Sequence, residues 1–319
     1  MFHTLEPKMP TQNEIFEHIV NLKNAAQDGV RREYLRDLHD YTQRDTILYA
    51  SAFSSRKLPQ VPGFLVSITL EDIQGFMAAL QGLKGEQLDL ILHSPGGSLE
   101  AADQIVQYLR SKYSNIRAIV PQNAMSAATM IACACDQIVM GKHSAIGPID
   151  PQINLPSQNG VFTAPAQAIL DEFRQAKQEV IEDPRTAPLW ISKIQSYPNG
   201  LLNICQSTIR LSIEKVAEWL NLYMFADLSP DKRKGQSIAE WLGNATLHKT
   251  HGRPINFATA REIGLTVDLL EDDQILQEKV LSVFHAMTTT LEITQCVKFI
   301  ENHDGKGWYL NVNVQNGPR

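Results

Sequence analysis

The stretch HSPGGS, residues 93–98, restricts the possible folds of this chain more than any other part of the sequence. It follows directly on the apolar run Leu88 to Leu92, which has the composition of a buried strand, and it precedes a helical pattern from Leu99 to Tyr113. Two adjacent glycines at a strand-to-helix turn let the backbone approach a ligand closely and turn its N–H groups outward. The stretch therefore indicates either an oxyanion or anion site or a plain glycine turn.

A second stretch of the same kind, NAMSAAT, covers residues 123–129 and follows the apolar run Ile116 to Val120. Ser126 stands near the start of a helical pattern made of unusually small residues. A serine hydroxyl at a helix start can act as a nucleophile, and the N–H of Ala127 could face an oxyanion on the attacked carbonyl. The alternative is that Ser126 caps or packs against a small-residue helix.

Strand-like runs alternate with helical patterns over residues 60–155, as expected of parallel βαβ units. Strands are predicted at Phe64 to Leu70, Leu88 to Leu92, Ile116 to Val120 and Gln137 to Met140. Helices are predicted at Glu71 to Leu83, Leu99 to Tyr113 and Ala124 to Cys135. The middle of the chain is thus predicted to be an α/β core.

The flanks of this core predict additional helices and a hairpin. The first 50 residues form a helical lead-in, with Thr11 and Glu14 as a capping box and apolar positions at Ile15, Ile19, Leu22, Leu35 and Leu38. Helices are predicted after Pro156, where the sheet is expected to be finished, at Pro165 to Ile181, Leu201 to Phe225, Ser237 to Leu242, Phe257 to Ile263 and Asp273 to Met287.

A β-hairpin is predicted to close the chain, because residues on either side of the stretch DGKG, residues 304–307, alternate between apolar and polar from Ile293 to Val314. The chain is accordingly divided into three parts. Residues 1–56 are the helical lead-in, residues 57–270 the core with its helical extension, and residues 271–319 the last helix and the hairpin.

Composition excludes several classes of protein. The 29 basic and 35 acidic residues give a net charge of −6, which argues against a nucleic-acid-binding surface. Four cysteines in 319 residues are too few for a disulfide framework, which favours a reducing, cytoplasmic setting. No apolar run reaches the roughly 20 residues of a membrane span. The acidic residues and prolines of the N-terminus are unlike a signal peptide.

Three motifs in order, SPGG at residues 94–97, MSAAT at 125–129 and IGPIDPQ at 146–152, resemble the Clp and signal-peptide-peptidase class of serine proteases. The resemblance is strongest to the serine dehydrogenase proteinase family. It extends to the stretches THGRPI, residues 250–255, and AREIGL, residues 260–265.

The resemblance implies a crotonase-like (Clp protease-like) spiral of ββα units whose subunits form homo-oligomers. It implies that Ser126 is the nucleophile, and that Gly96, Gly97 and Ala127 form the oxyanion hole, with the N–H groups of Gly97 and Ala127 as donors and Gly96 shaping the turn. No metal and no cofactor are implied, and the partner is a protein or peptide substrate. The cysteines of the stretch CAC, residues 133–135, face apart on a helix and lack a second ligand pair, which argues against zinc.

The proton acceptor departs from the Clp pattern. The position of the Clp histidine, about 25 residues beyond the serine, holds Asp150 here. The lysine of signal-peptide-peptidase-type enzymes corresponds to Lys177, which is the preferred base, although Lys177 can also be an ordinary solvated helix lysine. Lys142, His143 and His251 stay open as alternatives, and Asp150 either orients a base or stabilises its turn.

The sequence therefore predicts a serine peptidase that hydrolyses peptide bonds through an acyl-enzyme on Ser126. A second hypothesis is a catalytically silent crotonase-like scaffold that binds a protein partner, because the histidine of the Clp position is absent. Acyl-CoA chemistry on the same fold is the weakest of the three, since such enzymes need no serine nucleophile.

Overall fold

The computed structural model of the protein describes residues 26–157 and 160–312. The predicted capping box at Thr11 and the end of the predicted hairpin at Val314 lie outside these residues. The α-helices are α1 (Ala26–Thr42), α2 (Gly63–Val66), α3 (Asp72–Leu80), α4 (Leu99–Arg110), α5 (Ala127–Cys133), α6 (Ala166–Glu182), α7 (Ala187–Gln195), α8 (Leu201–Trp219), α9 (Gly235–Leu242), α10 (Ala245–His248), α11 (Phe257–Glu262) and α12 (Gln274–Ile293).

The strands form one large sheet and two small ones. They are β1 (Asp45–Ser51), β2 (Gln87–His93), β3 (Asn115–Val120), β4 (Asn123–Ala124), β5 (Gln137–Met140), β6 (Ala145–Ile146), β7 (Gln152–Ser157), β8 (Gly160–Pro165), β9 (Ile255–Asn256), β10 (Val267–Leu269), β11 (Cys296–Asn302) and β12 (Gly307–Asn311). The large sheet has seven strands in the order β10-β5-β3-β2-β1-β11-β12. The five strands from β10 to β1 are parallel, and β11 and β12 are added antiparallel.

Helices cover both faces of the large sheet, so its inner strands are buried on both sides. On β1, Ile47 and Tyr49 join the core cluster that contains α3, α4, α5 and α8, whereas Leu48 and Ala50 join the cluster formed with α1 and α12. This alternation along one strand is the period-2 pattern of a pleated sheet. The chain is therefore a mixed α/β protein with a central sheet, as predicted.

Strand β1 corrects the expectation that the first 50 residues are helical. All seven residues of β1 are buried, because the strand pairs with β2 on one side and β11 on the other. A strand buried on both faces is an unbroken apolar run without polar alternation, so its sequence resembles a piece of buried helix. Helix α1 confirms the helical prediction from Ala26 to Thr42.

The predicted strand from Phe64 to Leu70 is also wrong. Its first half is the single helical turn α2, and only Ile68 pairs, through an isolated bridge to Gly97. Phe64 and Leu70 are 66% and 55% exposed, so the apolar run does not line a core as a whole. The strand was predicted from apolar composition alone, but the segment has no neighbouring strand with which to pair beyond the bridge at Ile68.

The expectation that the sheet is finished after Pro156 is wrong as well. Strand β10 pairs with β5, and β11 pairs with β1, so both outer parts of the sheet come from the last 60 residues of the chain. The predicted hairpin is confirmed, with its turn between Asn302 and Gly307, but it extends the large sheet. Each predicted helix after Pro165 is present, although α8 ends six residues before its predicted end and α12 six residues after it, and α7 and α10 are additional.

A small three-stranded sheet, β4-β6-β9, lies beyond the carboxyl ends of the parallel strands. Ser94, just after β2, bridges to Ala124 of β4, and Ala124 pairs in turn with Ile146 of β6. The three motifs singled out in the sequence therefore meet at one edge of the large sheet. None of the helices among the described residues is long and apolar enough to cross a bilayer.

Candidate active site

Ser126 occupies the turn between β4 and α5 with a strained backbone. Its φ of 52° and ψ of −120° lie in a region that residues with a side chain rarely adopt. Hydrogen bonds on both sides hold the turn, from Met125 N–H to Ser94 O at 2.9 Å and from Thr129 Oγ1 to Ala124 O at 2.8 Å. The Ser126 side chain is half-buried, and its hydroxyl has no hydrogen-bond partner in the described part of the chain.

The glycine turn packs directly against Ser126. A Cβ atom on Gly96 would lie 2.6 Å from Ser126 Cβ and 2.9 Å from the nitrogen of Ala127, and Gly96 has a φ of 95°. Both the space and the backbone conformation therefore require glycine at this position. The Gly96 N–H donates to Ser94 Oγ at 3.2 Å, so this amide is already in use.

Two backbone amides beside Ser126 remain available. Within residues 26–157 and 160–312, neither Gly97 N–H nor Ala127 N–H donates to an acceptor. Gly97 lies against Ile68, and the Ala127 amide is at the first turn of α5, where helical amides lack a partner. Of the three residues predicted for the oxyanion hole, Gly97 and Ala127 offer N–H donors. Gly96 has no side chain and so allows the glycine turn to pack against the backbone at Ser126.

A carboxylate and an imidazole are hydrogen-bonded between the segment that follows β6 and the segment that precedes β9. His251 Nδ1 lies 2.8 Å from Asp150 Oδ1, and the Asp150 side chain is 4% exposed against 28% for His251. The other carboxylate oxygen of Asp150 accepts from Gln152 Nε2 at 2.7 Å. Because the carboxylate accepts the hydrogen bond, His251 carries its proton on Nδ1 and keeps the lone pair of Nε2 free.

Strand register places this pair at the same end of the small sheet as Ser126. Ala124 pairs with Ile146 in parallel, and Ile146 pairs with Ile255 in antiparallel fashion. Ser126 follows β4, Asp150 follows β6 and His251 precedes β9, so all three lie beyond one end of the three strands. Gly147 packs against Met125 between them, because a Cβ on Gly147 would lie 3.3 Å from Met125 Cα.

Lys177, the base preferred from the sequence, is on the exposed side of α6. Among the described residues no hydrogen bond or ion pair joins it to Ser126 or to any other side chain. The neighbouring carboxylates are used elsewhere, since Glu172 pairs with Lys193 and Glu179 accepts from Trp190. Nothing in this arrangement desolvates the Lys177 ammonium, which a lysine base requires.

The other two candidate bases lie away from the Ser126 turn. Lys142 and His143 are exposed between β5 and β6, and the Lys142 backbone N–H donates to Glu271. Burial, together with the nearby His143, lowers the pKa of His285 on α12. His251 is thus the candidate whose ring is oriented by a buried carboxylate.

Within the described ranges, three potential metal ligands lie together at the opposite edge of the sheet, namely His39, Asp45 and His303. The two imidazole rings are stacked 3.7 Å apart with 5° between their planes. A metal ion lies in the plane of each imidazole that binds it, and two parallel planes share no such position. His303 Nδ1 also accepts from Thr46 N–H, so these residues do not fit a metal.

The four cysteines form no disulfides within the part of the chain that the structure describes. Cys133, Cys135, Cys205 and Cys296 are all free and buried. Burial raises the pKa of Cys135 to about 12 and that of Cys296 to about 11, so both thiols stay protonated. Cys133, at the end of α5, and Cys135, two residues beyond it, pack in the hydrophobic core, as expected from the sequence.

Sequence reasoning missed the contact between His251 and Asp150, which are 101 residues apart. Each residue stood in a motif that was singled out, IGPIDPQ for Asp150 and THGRPI for His251. The sequence offered one indication of this contact, namely that both motifs resemble the same protease family. Only the pairing of β6 with β9 brings them together.

The chain is similar to several known proteins. Two proteins of Methanocaldococcus jannaschii are similar to the chain. Uncharacterized protein MJ0137 is 30% identical over 241 residues, which are 75% of this chain and 73% of that protein. Uncharacterized protein MJ1495 is 30% identical over 202 residues, which are 63% of this chain and 59% of that protein.

Two solved structures are also similar, both of mutants of the 1510-N membrane-bound stomatin-specific protease. One has 16% identity and a TM-score of 0.39 over 64% of this chain and 77% of that chain. The other, in complex with a substrate peptide, has 20% identity and a TM-score of 0.28 over 69% of this chain and 93% of that chain.

The sequence model of one protein family, the ClpP-like SDH-type serine proteinases, matches residues 20–302 of this chain. The chain therefore belongs to the family of ClpP-like SDH-type serine proteinases.

Proposed function

We propose that the protein is a serine peptidase in which Ser126 forms the acyl-enzyme and His251, oriented by Asp150, is the general base. The observation that carries this proposal is the position of Ser126 in a strained turn between two unused amides, at the end of the small sheet where His251 pairs with Asp150. Lys177 remains the second candidate for the base, since it was the one preferred from sequence.

The reaction follows from these groups. Ser126 Oγ attacks the peptide carbonyl while its proton passes to His251 Nε2, and the oxyanion that forms accepts from Gly97 N–H and Ala127 N–H. The protonated imidazole then gives this proton to the leaving amine as the C–N bond breaks. In the second half, His251 takes a proton from water, hydroxide adds to the ester carbonyl, and Ser126 leaves with the proton. Asp150 stabilises the imidazolium in both halves.

The proposal includes the finer features that the resemblance implies. The core would be a crotonase-like spiral of ββα units, the chain would work as a homo-oligomer, and its substrates would be proteins or peptides. A cytoplasmic setting is supported by four cysteines that are all free.

The test is the variant Ser126→Ala, with a fluorophosphonate probe and a set of fluorogenic peptides as substrates. We expect loss of probe labelling and a fall in kcat on the order of 10⁶-fold, as when a catalytic serine is removed. Ser111→Ala is the matched control, because Ser111 is exposed and its hydroxyl donates only to Tyr108 O in the described structure. Undiminished labelling of Ser126→Ala would contradict the proposal.

The second candidate function is a silent scaffold that binds a partner protein. It is favoured by one observation, that no described side chain is hydrogen-bonded to the Ser126 hydroxyl. The same experiment separates the two functions. A folded wild-type protein that neither reacts with the probe nor cleaves any peptide would support the scaffold.

A further inference from the structure

A short extended segment, Ser67 to Thr69, lies against the glycine turn of the site. Ile68 N–H donates to Gly96 O at 2.7 Å, and Ser98 N–H donates to Ile68 O at 3.0 Å. These two bonds enclose Gly97 in the pattern of a parallel bridge. The N–H of Gly97 therefore points to the side away from Ile68, where it is free to meet an oxyanion.

The other side of the same segment is held by a buried ion pair. Ser67 O accepts from Lys298 Nζ at 2.9 Å, and Thr69 N–H donates to Asp72 Oδ2 at 3.0 Å. Lys298 Nζ lies 2.6 Å from Asp72 Oδ1, and the two side chains are 1% and 0% exposed. The ion pair thus occupies the place where a neighbouring strand would pair with the segment.

Further contacts fix Asp72 itself. Tyr49 of β1 donates its hydroxyl to Asp72 Oδ2 at 2.8 Å, and burial raises the pKa of Tyr49 well above its usual value, so the phenol stays a donor. The buried Asp72 carboxylate is therefore contacted by three donors, the Lys298 ammonium, the Tyr49 hydroxyl and the Thr69 N–H. Buried ion pairs contribute little net stability compared with apolar residues, so stability alone does not explain this one.

We propose that Lys298 and Asp72 are positioning residues that set the oxyanion hole. Lys298 and Asp72 hydrogen-bond to Ser67 O and Thr69 N–H, and so fix the position of the segment Ser67 to Thr69. The two hydrogen bonds of Ile68 then fix the glycine turn. The fixed turn orients the Gly97 N–H toward the carbonyl that Ser126 attacks. This inference rests on the proposed function for the identity of the nucleophile.

The test is the double variant Lys298→Met with Asp72→Asn, which removes both charges and keeps similar volumes. An oxyanion donor that is removed costs about 10²- to 10³-fold in kcat, so we expect a misdirected donor to cost about 10- to 100-fold. The rate of fluorophosphonate labelling should fall by the same factor, whereas KM should change less than about twofold, because the donor acts mainly on the transition state.

The matched control is Arg31→Met with Glu301→Gln. This pair is also fully buried, at 2.7 Å between Arg31 Nε and Glu301 Oε2, and Glu301 is on the same strand as Lys298. Among the described contacts it does not touch residues 67–69. We expect thermal unfolding at lower temperature for both double variants and a loss of kcat for the first alone. An unchanged kcat in the first variant, or an equal loss in the control, would overturn the inference.

Hydrogen exchange separates this inference from the proposed function. The amides of Ile68 and Ser98 make the two bonds to the turn, so their exchange should be at least tenfold faster in the first variant than in the control. The double variant Lys298→Leu with Asp72→Asn provides the same measurement if the first double variant does not fold, because it also leaves no buried charge without a partner. Equal exchange rates would refute the positioning role. Faster exchange in a protein whose wild type does not react with the probe would refute only the serine chemistry.

Discussion

At the scale of single residues, the backbone of Ser126 is the feature that distinguishes a reactive serine from a capping one. A non-glycine residue in such a conformation costs on the order of 1–3 kcal/mol and persists only when its surroundings enforce it. The surroundings here are the two hydrogen bonds of the turn and the close approach of Gly96. A cap would need no strain, and Ser126 makes no capping hydrogen bond. The strained turn therefore favours the nucleophile.

A prediction at this scale separates the candidate bases. His251→Ala should lower kcat by about 10²- to 10⁴-fold, the usual contribution of a general base, and Asp150→Asn should lower it as well because the imidazole loses its orientation. Lys177→Ala should leave kcat within about twofold. Steady-state kinetics on one fluorogenic peptide measure all three variants. A large loss in Lys177→Ala with full activity in His251→Ala would assign the base to the lysine instead.

At the scale of elements, the carboxyl ends of the parallel strands determine where chemistry-bearing residues meet. Strand β2 delivers the glycine turn, and the connection after β3 delivers Ser126, so both motifs emerge at the same edge. The sequence predicted both strands and the start of α4 at Leu99 because strand and helix periodicities are local signals, but it placed the start of α5 at Ala124, three residues too early. It did not predict β4, β6 and β9, whose pairing over two residues each depends on neighbours far along the chain.

A prediction at this scale concerns His93, the last residue of β2. Its ring is fully buried beside Phe53 and Phe284, and burial lowers its pKa from 6.5 to about 3. The unfolded chain therefore binds a proton below pH 6.5 that the folded chain does not, so stability present above that pH is lost as the pH falls toward 3. Between pH 7 and pH 5 this one histidine should remove about 2 kcal/mol of unfolding free energy.

The measurement is urea unfolding of the wild type and of His93→Gln at both pH values. The variant should be less stable at pH 7 because it disturbs the packing, yet it should lose about 2 kcal/mol less between the two pH values. Ser111→Ala is the control, because it removes no titratable group from an exposed position, and it should keep the pH dependence of the wild type. An identical pH dependence in wild type and His93→Gln would show that His93 does not remain neutral in the fold.

At the scale of the whole molecule, the large sheet takes its strands from every part of the chain. Strand β1 comes from the predicted lead-in, β2, β3, β5 and β10 from the predicted core, and β11 and β12 from the predicted C-terminal part. Helix α12 packs against α1 over one face of this sheet. The division at residues 56 and 270 stays a prediction, and these contacts suggest how to test it.

A chain that ends at Leu270 provides that test. It lacks α12 and β11, so the apolar side chains of one sheet face and the buried Arg31 lose their partners. We expect no cooperative thermal transition for this shortened chain, whereas the full-length protein should unfold cooperatively. Circular dichroism with temperature measures both. Cooperative unfolding of the shorter chain would show that residues 1–270 fold without the last part.

The sequence by itself determined the α/β class, the two strand-to-helix turns with their glycines and Ser126, and most helices, because capping, periodicity and glycine conformations act within a few residues. Only the tertiary structure decided that β1 is a central strand, that His251 meets Asp150, and that Lys298 supports the glycine turn. His251 and Asp150 are 101 residues apart in the chain, and Lys298 is 231 residues from Ser67, whose carbonyl it contacts. Strand order and register set such contacts, and they depend on how all faces are buried together rather than on any local pattern.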